Sequence, residues 1–330
     1  MPHQVLEQML QRKFDKDIRQ HYFRGMEFAG PAGDPGWFGP GSAVWHVHSH
    51  TEALIFGLQC AAYMERLDPS IYWLGMHHSR LVKRDPETGV AVPQIDPQGA
   101  AVRLGHSIAF FIGTAYGNTE TAERVAKTVR SMHHTIKGTR PDGAKYDADD
   151  PDWLRWNYAT VVWGLATAHE IYHPNPLRGK KLDRYYGEFV RVGHALGGTD
   201  LPATKAETLD CLESYLPKLA LTHGAAMATG SNLPMPQSAV DWAIRDTMPK
   251  WAKQLIGHTD PNPIERAGRR AVVWSIINGL HTAAGTTLEF RQAQKRVAGG
   301  TTVPHTEPAY VPGSDPVLSR DEVEESFASV

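Results

Sequence analysis

The stretch Thr119-Glu120-Thr121-Ala122-Glu123-Arg124-Val125-Ala126-Lys127-Thr128-Val129-Arg130-Ser131-Met132-His133-His134-Thr135-Ile136-Lys137 decides the fold class. Ala122, Val125, Ala126, Val129, Met132 and Ile136 recur at intervals of three and four, the period of a helix with one buried face. His133 lies on that apolar stripe, whereas His134 falls beside Lys127, Arg130 and Lys137 on the polar side. The spacing predicts a helix over 119–137 that carries one inward-facing imidazole. An inward histidine is either a satisfied packing residue or a metal ligand, and spacing alone leaves both open.

The same period runs outward through most of the chain, and strict alternation long enough for strands is nearly absent, so an all-α fold is expected. Helices are expected near 3–24, 50–66, 69–83, 98–116, 119–137, 151–172, 180–196, 204–221, 237–256 and 263–290. Ser49-His50-Thr51-Glu52 and Thr204-Lys205-Ala206-Glu207 have capping-box spacing, and Asp150-Pro151 and Asn262-Pro263 set a cap residue before a first-turn proline. Gly138, Gly197-Gly198 and the proline stretches 173–176 and 233–236 supply stops. Gly/Pro-rich connections fill 25–42 and 84–97. The organisation that follows is an N-terminal helix and linker over 1–32, one large helical domain over 33–297, and an irregular tail over 298–330.

The chain has 330 residues, 41% hydrophobic and 21% charged, enough to bury a core. A formal charge of −2 supplies no basic field for nucleic acid. The apolar runs near 108–116 and 159–168 are shorter than a membrane span, which needs about 20 residues. The N-terminal stretch mixes charged with apolar residues, unlike a signal peptide. Cys60 and Cys211 sit in apolar helical patterns and read as buried free thiols. A reducing, cytoplasmic setting is expected. The unusual count is histidine, 17 in the chain, which invites metal, haem or proton chemistry.

Arg103, His106, Ser107, Phe110 and Phe111 share one helix face, a polar head above an aromatic floor. That face is either the exposed end of an amphipathic helix or the wall of a pocket for an apolar ligand. His169-Glu170-Ile171-Tyr172-His173 has the H-E-x-x-H pattern of zinc hydrolases, but Pro174-Asn175-Pro176 ends the helix at once. A polar helix end, with protonated histidine favoured by the dipole, is the expected reading there. In His46-Val47-His48-Ser49-His50 alternation would group three imidazoles, but Ser49 reads as a helix cap that breaks it. His77-His78-Ser79 reads as a helix end, and Asp147-Ala148-Asp149-Asp150 as helix-start chemistry.

Several segments together resemble the MpaB/latex-clearing-protein (rubber oxygenase-like) family of haem b oxygenases, over about residues 33–290. They are Gly33-Asp34-Pro35-Gly36-Trp37-Phe38-Gly39-Pro40-Gly41-Ser42 with Val44-Trp45, His78-Ser79 with Asp85-Pro86, and Arg103-Leu104 with Ser107. Further along stand Tyr116-Gly117-Asn118-Thr119, Val129-Arg130-Ser131-Met132-His133 with Gly138, Trp156 with Ala159-Thr160, and Tyr185-Tyr186-Gly187-Glu188 with Val192-Gly193. The resemblance implies a globin-like helical core, a b-type haem with a histidine axial ligand, and dioxygen chemistry on apolar, often isoprenoid, substrates. Its haem-ligand histidine maps onto His133, the residue that the apolar stripe selects. Its Arg-x-x-x-Thr pattern maps onto Arg103 and Ser107, with serine in place of threonine, and His106 stands where relatives are often basic.

The function expected from this resemblance is a haem b-dependent oxygenase that uses dioxygen to oxidise or cleave an apolar, isoprenoid or aromatic small molecule. Arg103, His106 and Ser107 are its expected catalytic group. His133, Arg103, Phe110 and Phe111 would contact the haem, with His133 as axial ligand of the iron. Three departures bear on substrate and reaction: Leu67-Asp68-Pro69 where Leu-His-Pro is common, about twelve extra residues before Arg103, and Tyr158 where histidine is common. The spacing selects no base among Glu52, Glu65 and Asp68. Alternatives are a non-catalytic haem sensor or carrier, a zinc hydrolase on His169, Glu170 and His173, and a di-iron protein, for which only one Glu-x-x-His pair is present.

Overall fold

The structure, a computed structural model, describes residues 19–222 and 236–299. The expected N-terminal helix enters it only as the short α1 (Gln20–Tyr22), and the tail beyond residue 299 lies outside the described residues. The fold is all-α, as the period predicts. Its main helices are α2 (Ala43–His48), α3 (Thr51–Glu65), α4 (Pro69–His78), α5 (Pro97–Tyr116), α6 (Thr119–Thr135), α7 (Pro151–Tyr172) and α8 (Lys180–Ala195). After them come α9 (Lys205–Ser214), α10 (Gln237–Thr247), α11 (Lys250–Leu255), α12 (Pro263–Ala284) and α13 (Leu288–Ala298). No helix among the described residues is long and apolar enough to cross a membrane.

Four helices start with the same device. Asp68, Asp96, Asp150 and Asn262 each stand before a proline and accept backbone N–H groups of the first turn. The expected capping box at Ser49–Glu52 is not formed. Ser49 closes α2, its hydroxyl donating to the His46 carbonyl, and His50 caps α3 by accepting the Ala53 N–H at Nδ1. Glu52 is thereby released from capping. α2 itself is an unexpected helix, started by Ser42 accepting the Trp45 N–H.

The other boundary differences have local causes. Pro249 ends α10 at Thr247 and restarts the chain as α11, because the residue before a proline is pushed out of helical conformation. Gly285, at φ 68°, separates α12 from α13 inside the expected 263–290 helix. The 69–83 segment leaves helix at His78 and becomes a strand, β1 (Val82–Arg84), paired antiparallel with β2 (Ala91–Ile95). α6 stops at Thr135, followed by a second hairpin of β3 (Lys137–Thr139) and β4 (Lys145–Asp147).

α3 and α7 form the spine. They run antiparallel, with Glu65 beside Asn157 at one end and His50 beside His173 at the other. Gly57 and Gly164 let the backbones touch midway: a Cβ on Gly164 would stand 2.3 Å from the Gly57 carbonyl oxygen. Two apolar clusters flank this spine. One contains Trp45, Leu54, Phe111, Tyr116, Val162 and Phe189, and the other contains Phe56, Cys60, Trp156, Trp163, Tyr172 and Ile244. Cys60 and Cys211 are buried free thiols, as expected.

The Gly33–Ser42 loop anchors α6. Asp34 accepts the Gly36 N–H, the Thr119 N–H and the Thr119 hydroxyl, tying the loop to the first turn of the helix that carries His133. Arg296, 1% exposed, donates to the carbonyls of Phe28, Asp34, Tyr116 and Gly117. One buried guanidinium thus clips α13 to both the loop and the end of α5.

Candidate functional site

The inward face of α6 places His133 where the stripe predicts. Its Nδ1 is buried and has no hydrogen-bond partner among the described residues, and its ring meets Trp153 edge to face, centroids 5.4 Å apart. His134 turns the other way and pairs with Asp149 at 2.5 Å. Burial, then the nearby charges of Arg103 and His134, lowers the His133 pKa to about 4. A neutral imidazole results, half-buried beside the Trp153 ring, which is the protonation state that a metal requires.

Arg103 and Ser107 lie one turn apart on α5. The Arg103 side chain is exposed, and its charge acts on His133, His106 and Glu65. The Ser107 hydroxyl donates to the Arg103 carbonyl at 3.0 Å, so it offers lone pairs instead of a proton to anything beside it. His106 is half-buried and meets Tyr22 edge to face at 4.9 Å, while burial and the charges of Arg103 and Arg80 lower its pKa. Phe110 and Phe111 belong to the core; they pack edge to face, and Phe111 stacks on Phe189 at 6.1 Å. Arg103 and His133 are therefore brought together, and the two phenylalanines lie deeper along the same helix.

Glu65 is the residue that spacing could not select. At the C-terminal end of α3 its Oε1 accepts from Asn157 Nδ2 at 2.9 Å. Burial raises its pKa, against the opposing pull of Arg103, Arg66 and the Thr160 hydroxyl. Its partners come from α7, where Trp153, Asn157 and Thr160 occupy one face at i, i+4 and i+7. That polar break in an apolar helix was a readable signal. Asp68 is occupied as the α4 cap.

Six further histidines fall into three groups. His77 Nδ1 and His78 Nε2 both reach the Tyr146 hydroxyl, at 2.6 and 3.1 Å, at the predicted helix end. His48 is enclosed by Phe111, Tyr185 and Phe189, and burial lowers its pKa to about 3. The H-E-x-x-H pair meets His46: the ligand nitrogens of His46, His169 and His173 lie within 4.8 Å of one another. Burial, then mutual repulsion, lowers the pKa of His169 to about 2 and of His173 to about 3. Both are neutral, so the expected protonated helix end is corrected: an enclosed cluster cannot carry adjacent charges. Glu170 turns away to Lys205 at 2.5 Å, which leaves the pair without the base of a zinc hydrolase.

The family model described as ER-bound oxygenase mpaB/B'/rubber oxygenase, catalytic domain, matches residues 45–277. The chain belongs to this family. No curated protein and no solved structure is similar enough to match it. The matched span begins at Trp45 in α2 and closes in α12, so it takes in the α3–α7 spine and His133 with Trp153 and Arg103. The protein is thus an enzyme of an oxygenase family, and His133, Arg103 and Glu65 all lie within its catalytic domain.

Proposed function

We propose that this oxygenase is haem b-dependent and uses dioxygen to oxidise or cleave an apolar, isoprenoid or aromatic small molecule. The observation that carries the reading is His133 Nδ1, a buried ring nitrogen without a partner among the described residues, on a helix whose first turn the Asp34 loop holds in place. The surrounding donor set fits a haem: a neutral imidazole for the iron, a cationic Arg103 for a propionate or developing negative charge, and an aromatic neighbour in Trp153. Bound there, the haem would supply dioxygen activation.

The chain's own groups then divide the work. His133 holds the cofactor, and Arg103 opposes negative charge near it. Ser107 accepts a hydrogen bond beside Arg103, and His106 donates or relays a proton from the same helix. Glu65 holds a proton more readily than an exposed carboxylate because burial disfavours the charge, and Asn157 donating to Oε1 leaves Oε2 as the oxygen to carry it. Phe110 and Phe111 keep the deep end of this face apolar and exclude water. A cytoplasmic setting is part of the proposal and rests on the two buried free thiols.

The test is dioxygen uptake by haem-loaded protein against isoprenoid and aromatic panels, with Arg103→Ala and Glu65→Gln beside the wild type. Substrate-dependent uptake, reduced at least about tenfold in Arg103→Ala by loss of its charge, is the expected result. Haem binding with no uptake against any panel overturns the enzyme reading in favour of a carrier.

A further inference from the structure

Beside the Gly33–Ser42 loop, α2, α8 and α13 border a cleft of about 430 Å³, within the range of small-molecule sites. Its floor presents carbon. Pro40, Ala43, Trp45, Leu177 and Phe290 line it, and Trp45 meets Phe290 edge to face with centroids 5.5 Å apart. The polar side chains between them are already engaged. The Trp45 indole N–H donates to the Ala115 carbonyl, the Ser42 hydroxyl to the Gly39 carbonyl and the Ser49 hydroxyl to the His46 carbonyl, each at 2.8 Å. His46 Nε2–H donates to the Asn175 carbonyl, also at 2.8 Å.

The charge sits at the exposed rim. Lys181 and Arg184 lie one turn apart on α8, and among the described residues no carboxylate lines the cleft. Arg184 Nε donates to Glu188 Oε1 at 2.6 Å, and Glu188 Oε2 accepts the Val44 N–H at 3.1 Å, so both oxygens of that carboxylate are taken. Lys181 has no ion-pair partner among the described residues. With the Arg184–Glu188 pair counted as neutral, one positive charge stands uncompensated above an apolar floor. We propose that this cleft binds a single-chain organic carboxylate, its head held by Lys181 and Arg184 and its hydrocarbon chain laid on Trp45 and Phe290. An ionised carboxylate only accepts hydrogen bonds, which matches a rim of ammonium and guanidinium donors, and its single charge matches the one left over.

The cleft is separate from the His133 site and does not rest on the haem reading. Its Trp45 bonds to the last turn of α5, next to the start of α6, whereas His133 lies near the other end of α6. From Thr119 to His133 that helix rises about 21 Å. Pro40 and Ser42 in the cleft wall belong to the loop whose Asp34 holds the first turn of α6, so an occupant stabilises the fold through that loop.

The experiment is isothermal titration calorimetry of the full-length protein with sodium octanoate, with haem content measured on the same samples. One octanoate per chain is expected. Butanoate should bind about 100-fold more weakly, because four methylenes leave the apolar floor, and octanol at least about tenfold more weakly for want of the charge. Octyl phosphate should bind no more tightly than octanoate, since its second charge finds no partner. Lys181→Gln and Gln294→Glu, the second of which sets a like charge at the exposed rim, should each weaken octanoate about tenfold. Arg103→Ala should leave it unchanged. Absence of stoichiometric octanoate, equal affinity for octanol, or binding that survives Lys181→Gln and Gln294→Glu but falls in Arg103→Ala overturns the proposal. Failure of the haem reading would appear in the haem assay alone.

Discussion

Replacing Gly164 by alanine tests whether the α3–α7 spine is held by backbone contact. The added Cβ would stand 2.3 Å from the Gly57 carbonyl oxygen and 3.3 Å from the Ala61 nitrogen, so the first contact falls about 1 Å short of a tolerable one. Neither partner can rotate away, since both are main-chain atoms of a helix. Overpacking against a rigid wall costs about 3 kcal/mol, the upper end of the usual range. Alanine recovers about 1 kcal/mol of helix propensity, which leaves a net loss of about 2 kcal/mol. For a chain of this size that is a drop in Tm of roughly 3 °C. Gly268 in α12 supplies the control: nothing lies within 4 Å of its would-be Cβ, so Gly268→Ala should gain about 0.5–1 kcal/mol. Differential scanning calorimetry of the two variants reads opposite signs. If Gly164→Ala melts at or above the wild type, or both variants shift alike, the close-contact account of the spine is wrong.

Three other outcomes follow. Arg296→Met removes a guanidinium that serves four buried carbonyls, so urea unfolding should show a loss of at least about 3 kcal/mol; a loss under about 1 kcal/mol would mean the clip is redundant. His48, held down to about 3, stays neutral in the fold while its unfolded counterpart takes up a proton near pH 6.5. Stability should therefore fall as pH drops from about 6.5 toward 3 and level off below, and His48→Phe should flatten that slope; an unchanged slope in calorimetry would contradict it. Lys205→Ala, which leaves Glu170 only its longer contact with Arg178, should leave haem content unaltered, because that carboxylate does not serve the His133 site; a changed haem content would contradict it.

What was legible in the sequence was what is local. The 119–137 stripe placed His133 inward because a helix face is fixed by its own spacing, and the Asp-Pro and Asn-Pro starts needed nothing beyond adjacent residues. The capping box at Ser49 misled because two short helices compete for the same residues, and the imidazole of His50 took the cap instead. Gly57 and Gly164 carry no pattern that links them, although their contact sets the register of the two longest-packed helices. The Glu65–Asn157 pair and the meeting of His50 and Glu52 with His281 are likewise products of helix pairing, separated by 92 and 229 residues or more. His46 and the His169–His173 pair were noticed as members of two separate motifs, and only the packing of α2 beside the C-terminal end of α7 shows why they converge.

The most direct test of the central claim is the absorption spectrum of the purified protein, oxidised and then reduced under carbon monoxide, with iron measured on the same sample. The account predicts a Soret band, about one iron per chain, a histidine-type carbonyl shift, and loss of that signature in a folded His133→Ala variant. A protein that stays colourless after haem is supplied, or a His133→Ala variant that binds haem with an unchanged spectrum, would contradict it.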